Sequence, residues 1–121
     1  MYVPGTDHFN LPSCPCTPPV ALKQWTRDLY CQNRKCPFHP GAFECWRTVK
    51  VINGGGQQCC YDRSGKLLIG PPSGGTADSV HSDKVLAHIV ADVLPWVYCC
   101  KGQPLDLCQR YYNKRPGRGC D

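Results

Sequence analysis

Charge is scarce in this sequence. Charged side chains make up 19% of its 121 residues, against roughly a quarter of an ordinary soluble domain. With 41% hydrophobic residues, the chain nevertheless lacks the composition of a disordered segment. No apolar run approaches the ~18 residues of a membrane-crossing helix. The richest stretch, Val85 to Tyr98, is broken by Ala87, His88, Asp92 and Pro95. Coiled-coil and collagen periodicities are missing, as is any internal repeat. There is no C-x-x-C redox pair and no G-x-S-x-G nucleophile elbow. Gly54-Gly55-Gly56 lacks the Lys and Ser/Thr of a phosphate-binding loop. Neither Arg-Gly-Asp nor Asn-x-Ser/Thr occurs. The opening residues have no basic n-region and no apolar h-region, so they do not read as a signal peptide. Pro4, Gly5 and Pro12 suggest a linker or tail over residues 1–10, as in an internal fragment, entering one domain over 11–121.

What the chain has instead is eleven cysteines, twelve glycines and twelve prolines. Cysteine at this density marks a disulfide scaffold. So much Gly and Pro leaves few residues for an apolar core, and cross-links worth typically ~2–4 kcal/mol each compensate. That reading requires an oxidising compartment, hence a secreted protein or an ectodomain. The disulfide candidates are Cys14, Cys16, Cys31, Cys36, Cys45, Cys59, Cys60, Cys99, Cys100, Cys108 and Cys120. One must remain over, to pair outside the chain, to form a dimer or to stay free. About ten thousand connectivities satisfy this count, and the sequence does not choose among them. Bridging immediate neighbours would distort the peptide bond between them, and adjacent residues on a strand face opposite ways. Cys59 and Cys60 are therefore expected to bond to two different distant cysteines, as are Cys99 and Cys100, with at least one bridge from the central hairpin to the C-terminal half.

The expected fold is α+β: a small, loop-rich single domain with a short antiparallel sheet and one or more short helices. Thr17 is placed to cap a helix over Val20–Tyr30, with Ala21, Leu22, Trp25 and Leu29 on one face. Phe43–Ile52 reads as a strand. Gln57–Tyr61 and Lys66–Ile69 read as a hairpin around Asp62-Arg-Ser-Gly65, with Gly65 available for a positive φ. Ser82 begins a second helix whose stripe is Val85, Leu86, Ile89, Val90, Val93 and Leu94. Pro95 is expected to stop it near Val93, leaving Trp96–Cys100 extended or in a turn. Pro104–Asn113 reads as a last short helix.

Zinc, hydrolysis and polyanion binding are the chemistries to weigh. Cys14-Pro-Cys16, Cys31-x4-Cys36 and the vicinal pairs are not arranged as zinc knuckles, and His39, His81 and His88 do not supply the missing ligands. Asp78, Ser79 and His81 are close in sequence only, whereas a triad draws on separate elements. No catalytic, cofactor or metal site is expected. The net charge is +5, and Arg110, Lys114, Arg115 and Arg118 cluster near the C-terminus around Tyr111 and Tyr112. Such a segment suits a sulfated polysaccharide, while the expected compartment excludes nucleic acid.

Several stretches together resemble the AMOP domain, an adhesion-associated domain of mucin-type and sushi-containing membrane proteins and of isthmins. They are Leu11-Pro-Ser-Cys14-Pro-Cys16-Thr17, His39-Pro-Gly-Ala42 with Cys45, and Gly56-Gln-Gln-Cys59-Cys60-Tyr61-Asp62 with Gly65 and Leu67-Leu68. Gly74-Gly75-Thr76 with Asp78 and His81, then Asp92-Val-Leu-Pro95-Trp96, Cys99-Cys100, Cys108, Tyr111, Arg115-Pro116 and Cys120 complete the series. The resemblance covers about residues 11–120. Gly117 stands where the family often has Ser, and no cysteine precedes Cys14, although the family is expected to have one upstream. The resemblance implies an extracellular, non-enzymatic interaction module of a larger protein, binding a protein or matrix partner. A secreted factor acting as an isolated domain is the alternative. Either way, folding should depend on oxidation: strong reductant is expected to collapse the dispersion of an amide NMR spectrum, and a chelator to leave it unchanged.

Overall fold

A computed structural model describes residues 11–29, 31, 36–52, 55–78, 92–114 and 119–120. Its centre is a five-stranded antiparallel sheet. The strands are β1 (Trp25–Arg27), β2 (Glu44–Thr48), β3 (Gly56–Tyr61), β4 (Leu67–Leu68) and β5 (Ala77–Asp78). β1 pairs β2 and β2 pairs β3. The other flank of β3 is shared by β4 opposite Cys60 and Tyr61 and by β5 opposite Gly56 and Gln57. β3 is buried along its whole length. Among the described residues two short helices follow, α1 (Leu94–Cys99) and α2 (Leu105–Lys114). No helix among the described residues is long and apolar enough to cross a membrane.

The hairpin forms where the sequence places it. Asp62 Oδ1 accepts hydrogen bonds from the Ser64 and Lys66 backbone N–H groups, both at 2.9 Å, and from the Ser64 hydroxyl at 2.7 Å. These bonds, led by that from the Lys66 N–H, hold the Asp62 carboxyl below its ordinary value. Gly65 closes the turn at φ 86°.

The helix expected over Val20–Tyr30 is absent. Residues 20–24 make turns, starting with Val20 N–H to Pro18 O at 2.9 Å, and β1 follows. Pairing Trp25 with Thr48 buries the indole against Trp46 and the Cys14–Cys59 bridge. The other members of the supposed stripe remain outside, Leu29 at 79% exposure. A cross-strand site for one Trp thus outweighs a helix with nothing to cover its face. The strand expected over Phe43–Ile52 is confined to Glu44–Thr48.

Pro95 also acts differently from expectation. It stands in the first turn of α1, where a residue has no intrahelical use for the N–H that Pro lacks, and the residues just before it, Asp92 and Val93, are already helical. Trp96–Cys99 is helical, not extended. Most of the stripe from Val85 and the cap at Ser82 lie outside the described residues. The last helix is present as α2.

Three apolar clusters result. Cys14, Trp25, Trp46, Cys59 and Tyr61, with Leu67, cover one sheet face. Cys31, Cys36, Ala42, Cys45 and Cys60, with Leu68, cover the other. Trp96, Cys108, Tyr111 and Tyr112 join the two helices. Gly75 lets the segment before β5 lie on β3: a Cβ there would overlap the Gln58 carbonyl oxygen and come within 2.7 Å of its carbon. Gly75→Ala is expected to destabilise the domain by about 3 kcal/mol, the upper end for single substitutions, measured as a lowered urea midpoint.

Candidate functional site

Five bridges account for ten cysteines: Cys14–Cys59, Cys16–Cys120, Cys31–Cys36, Cys45–Cys60 and Cys100–Cys108. Cys59 and Cys60 send their bridges to opposite sheet faces, as strand alternation requires. Cys99 and Cys100 do not behave in the same way. They end a helix, where neighbours project about 100° apart rather than to opposite sides. Cys100 reaches Cys108 in α2, and Cys99 keeps a free, half-buried thiol near Tyr111. No bridge joins the hairpin to the C-terminal half. The sulfurs of Cys31, Cys36 and Cys45 lie within 4.8 Å of one another, but each is engaged in a bridge rather than offered as a thiolate.

Where a bridge between sheet and helices was expected, a chain of polar side chains runs instead. Gln58, on the Cys60 face of β3, donates from Nε2 to the Asp28 carboxylate. Its Oε1 lies 2.7 Å from His39 Nε2. His39 Nδ1 lies 2.7 Å from the Gly74 carbonyl oxygen and 3.4 Å from the Tyr112 hydroxyl. Tyr112 donates to Gly74 O at 2.7 Å and reaches Pro72 O at 3.4 Å. Asp28, Gln58, His39 and Tyr112 are all buried. The Gln58 side-chain oxygen and the Gly74 carbonyl are both acceptors, so a neutral His39 ring donates to one of them and only the protonated ring donates to both. A parallel tether runs from the Tyr111 hydroxyl to Asp92 O at 3.1 Å. Burial pushes both phenols well above their ordinary range.

The first sheet face is anchored to the N-terminal segment. Gln57 Nε2 donates to Pro12 O at 3.2 Å and the Tyr61 hydroxyl to Pro15 O at 2.6 Å. Burial, with the Glu44 charge second, pushes the Tyr61 phenol up to about 12. Trp46 Nε1 and Gln57 Oε1 are buried without a hydrogen-bond partner.

Between residues 37–40, Pro72 and the helices lies a groove of 380 Å³, lined among the described residues by Pro37, Phe38, Pro40, Pro72, Trp96, Val97, Cys100, Lys101, Gly102 and Cys108. Its floor is the edge-on pair Phe38 and Trp96, with ring centroids 5.0 Å apart at 85°. The groove adjoins the polar chain, since Phe38 and Pro40 flank His39 and Pro72 is held by Tyr112.

The basic cluster of the sequence is only partly in view. Arg110 and Lys114 are exposed on α2 one turn apart, and Arg115 and Arg118 lie outside the described residues. Tyr111 and Tyr112, expected to intersperse the cations, point inward at 7% and 3% exposure. Asp78 belongs to β5, while Ser79, His81 and His88 are outside the described residues. Sequence reasoning missed the polar chain. The signal that could have found it is the joint presence of His39, Gln58 and Gly74 in the family-like stretches.

A sequence model of the family described as the AMOP domain matches residues 6–121. Sushi domain-containing protein 2 of Homo sapiens is 38% identical over a 132-residue alignment, covering 92% of this chain and 16% of that protein. Protein mesh of Bombyx mori is 32% identical over 130 residues, covering 88% of this chain and 8% of that protein. The chain thus spans less than a fifth of either relative. No solved structure gives a significant match.

The polar chain generates a pH dependence. Burial holds the His39 imidazole below its ordinary 6.5, against the opposing pull of its hydrogen bonds to Gln58 and Gly74 and of the Asp28 charge. An unfolded chain therefore takes up a proton near pH 6.5 that the native chain resists. The stabilisation is full above that pH and is lost as pH falls towards the native value. The unfolding free energy obtained from urea titrations should decline below pH 6.5 by up to about 1.4 kcal/mol per pH unit, and His39→Gln should flatten the decline.

Proposed function

The chain belongs to the AMOP domain family, and from that premise we propose that it is an extracellular adhesion module of a longer multidomain protein. It is a non-enzymatic platform, held by disulfides, that presents loops to a protein or matrix partner. The observation that carries this reading is the covalent framework itself: five bridges pin both faces of one small sheet and both ends of the chain. Such a framework persists outside the cytosol and resists deformation when a surface loop is gripped. The polar residues it gathers serve structure. Asp28, Gln58, His39 and Tyr112 direct their hydrogen-bonding groups at one another and at backbone, and they are buried away from any substrate. The small fraction of each relative covered by the match also favours a module over a factor acting alone.

A second reading rests on Arg110 and Lys114, exposed on one face of α2 at i, i+4 spacing. With Arg115 and Arg118 they offer a contact for sulfated polysaccharide. One assay addresses both readings. Beads coated with the oxidised 121-residue chain should adhere saturably to cells or matrix, and reduced, alkylated chain should not support adhesion. Soluble heparin should inhibit only if the polysaccharide contact carries adhesion, in which case Arg110→Glu with Lys114→Glu should abolish both adhesion and heparin retention. Adhesion that is indifferent to oxidation would remove the module reading.

A further inference from the structure

We propose that the groove between residues 37–40, Pro72 and the helical pair is the partner-binding site, and that it takes an acidic polypeptide segment inserting an aliphatic or aromatic side chain. This rests on the interaction-module reading and names the partner's chemistry.

Three features of the groove lead to this occupant. The first is rigidity. Each wall is fixed independently: Phe38 by its contact with Trp96, Pro72 by Tyr112, Pro40 by the Ser73 hydroxyl, and the helical wall by Cys100–Cys108. The three prolines of the lining lose little entropy when a ligand is seated, so the site is preorganised. The second is size. At 380 Å³ it lies near the lower end of the ~300–1,000 Å³ typical of small-ligand sites, room for one or two side chains rather than a cofactor. The third is polarity. Among the described residues of the lining, Lys101 is the only charged one, and no side chain carries a hydroxyl, amide or carboxylate. A sugar would leave its hydroxyls unpaired there. An apolar side chain would not, and a carboxylate beside it would meet the Lys101 ammonium.

Among the described residues of the helical pair, the exposed charged side chains are Lys101, Arg110 and Lys114 against Asp106 alone. Of these only Lys101 lines the groove, since Arg110 and Lys114 project from the side of α2 away from Cys108, so the charge complementarity offered to an acidic segment is that of the Lys101 ammonium.

The test uses the oxidised 121-residue chain and peptides acetyl-Glu-Glu-X-X-Glu-Glu-amide, with X as Leu, Phe, Trp, Pro or Ala, together with Lys-flanked counterparts. Amide and indole NMR shifts report binding. Saturable shifts at Phe38, Trp96, Val97 and Lys101 are expected with Leu, Phe or Trp at the centre. Binding should be at least tenfold tighter than with Ala or with Lys flanks. Lys101→Glu, a change at an exposed position, should weaken it at least fivefold, and Pro37→Arg at the groove mouth should abolish it, with unchanged dispersion certifying both folds. The proposal is overturned by no saturable shift from any peptide, by equal binding of Ala or Lys-flanked peptides, or by indifference to Lys101→Glu. A preference for Pro would indicate polyproline recognition instead. Shifts at these residues from a heparin octasaccharide, or on concentrating the chain alone, with none from the peptides, would assign the groove to polysaccharide or to a second copy. Bead adhesion with a silent groove removes this site and leaves the module reading standing. Peptide binding without bead adhesion does the reverse.

Discussion

Everything in this domain is referred to one pair of adjacent residues, Cys59 and Cys60, on the one strand that is buried throughout. Strand geometry forces neighbouring side chains to opposite faces. The two bridges that leave them must therefore fasten two different layers. Cys59 holds the N-terminal segment through Cys14, beneath Trp25, Trp46 and Tyr61. Cys60 is clamped across the ladder to Cys45, its register partner, with the Cys31–Cys36 loop packed beside it. A short sheet normally needs a broad apolar layer on each face. Here covalent bonds and a few large rings do that work, which is why so proline-rich and glycine-rich a chain folds at all.

The residues just before this pair repeat the logic with hydrogen bonds. Gln57 shares the Cys59 face and holds Pro12; Gln58 shares the Cys60 face and reaches Asp28 and His39. The helical layer then hangs on this second connection and on tyrosine hydroxyls, without a disulfide of its own to the sheet. Such a joint is directional and sensitive to protonation, in contrast to the bridged core. It also adjoins the groove, whose geometry therefore depends on the polar part of the fold together with the Cys100–Cys108 bridge.

The sequence was informative wherever a local rule had no competitor. The Asp62–Gly65 turn needs an acceptor for Ser64 and Lys66 and a residue tolerant of positive φ, and both stand in the required places. The opposite facing of Cys59 and Cys60 follows from strand pleating alone. Local rules failed where a distant contact decided. Trp25 sits at helical spacing from Leu22 and Leu29, yet its partner is Trp46 on another element. Pro95 reads as a stop in the sequence, yet helical backbone continues through it to Cys99 because Pro is tolerated in a first turn. Cys99 and Cys100 look like Cys59 and Cys60, and only the helical backbone separates their fates. Of the candidate site, Arg110 and Lys114 were legible as surface cations. The groove was not, because its walls come from three segments brought together by long-range packing and hydrogen bonds.

The Cys16–Cys120 bridge brings residues separated by 104 positions to a Cα distance of 4.6 Å. Its consequence is mechanical. When a longer protein containing this domain is pulled from both directions, the load enters at one end of the bridge and leaves at the other. The path runs through a single S–S bond and bypasses the sheet, the helices and the groove. About 350 Å of potential contour, at roughly 3.4 Å per extended residue, is thereby withheld from extension. Tension on the flanking chain would stretch the neighbouring segments while everything between the two cysteines kept its shape, however hard the chain was pulled.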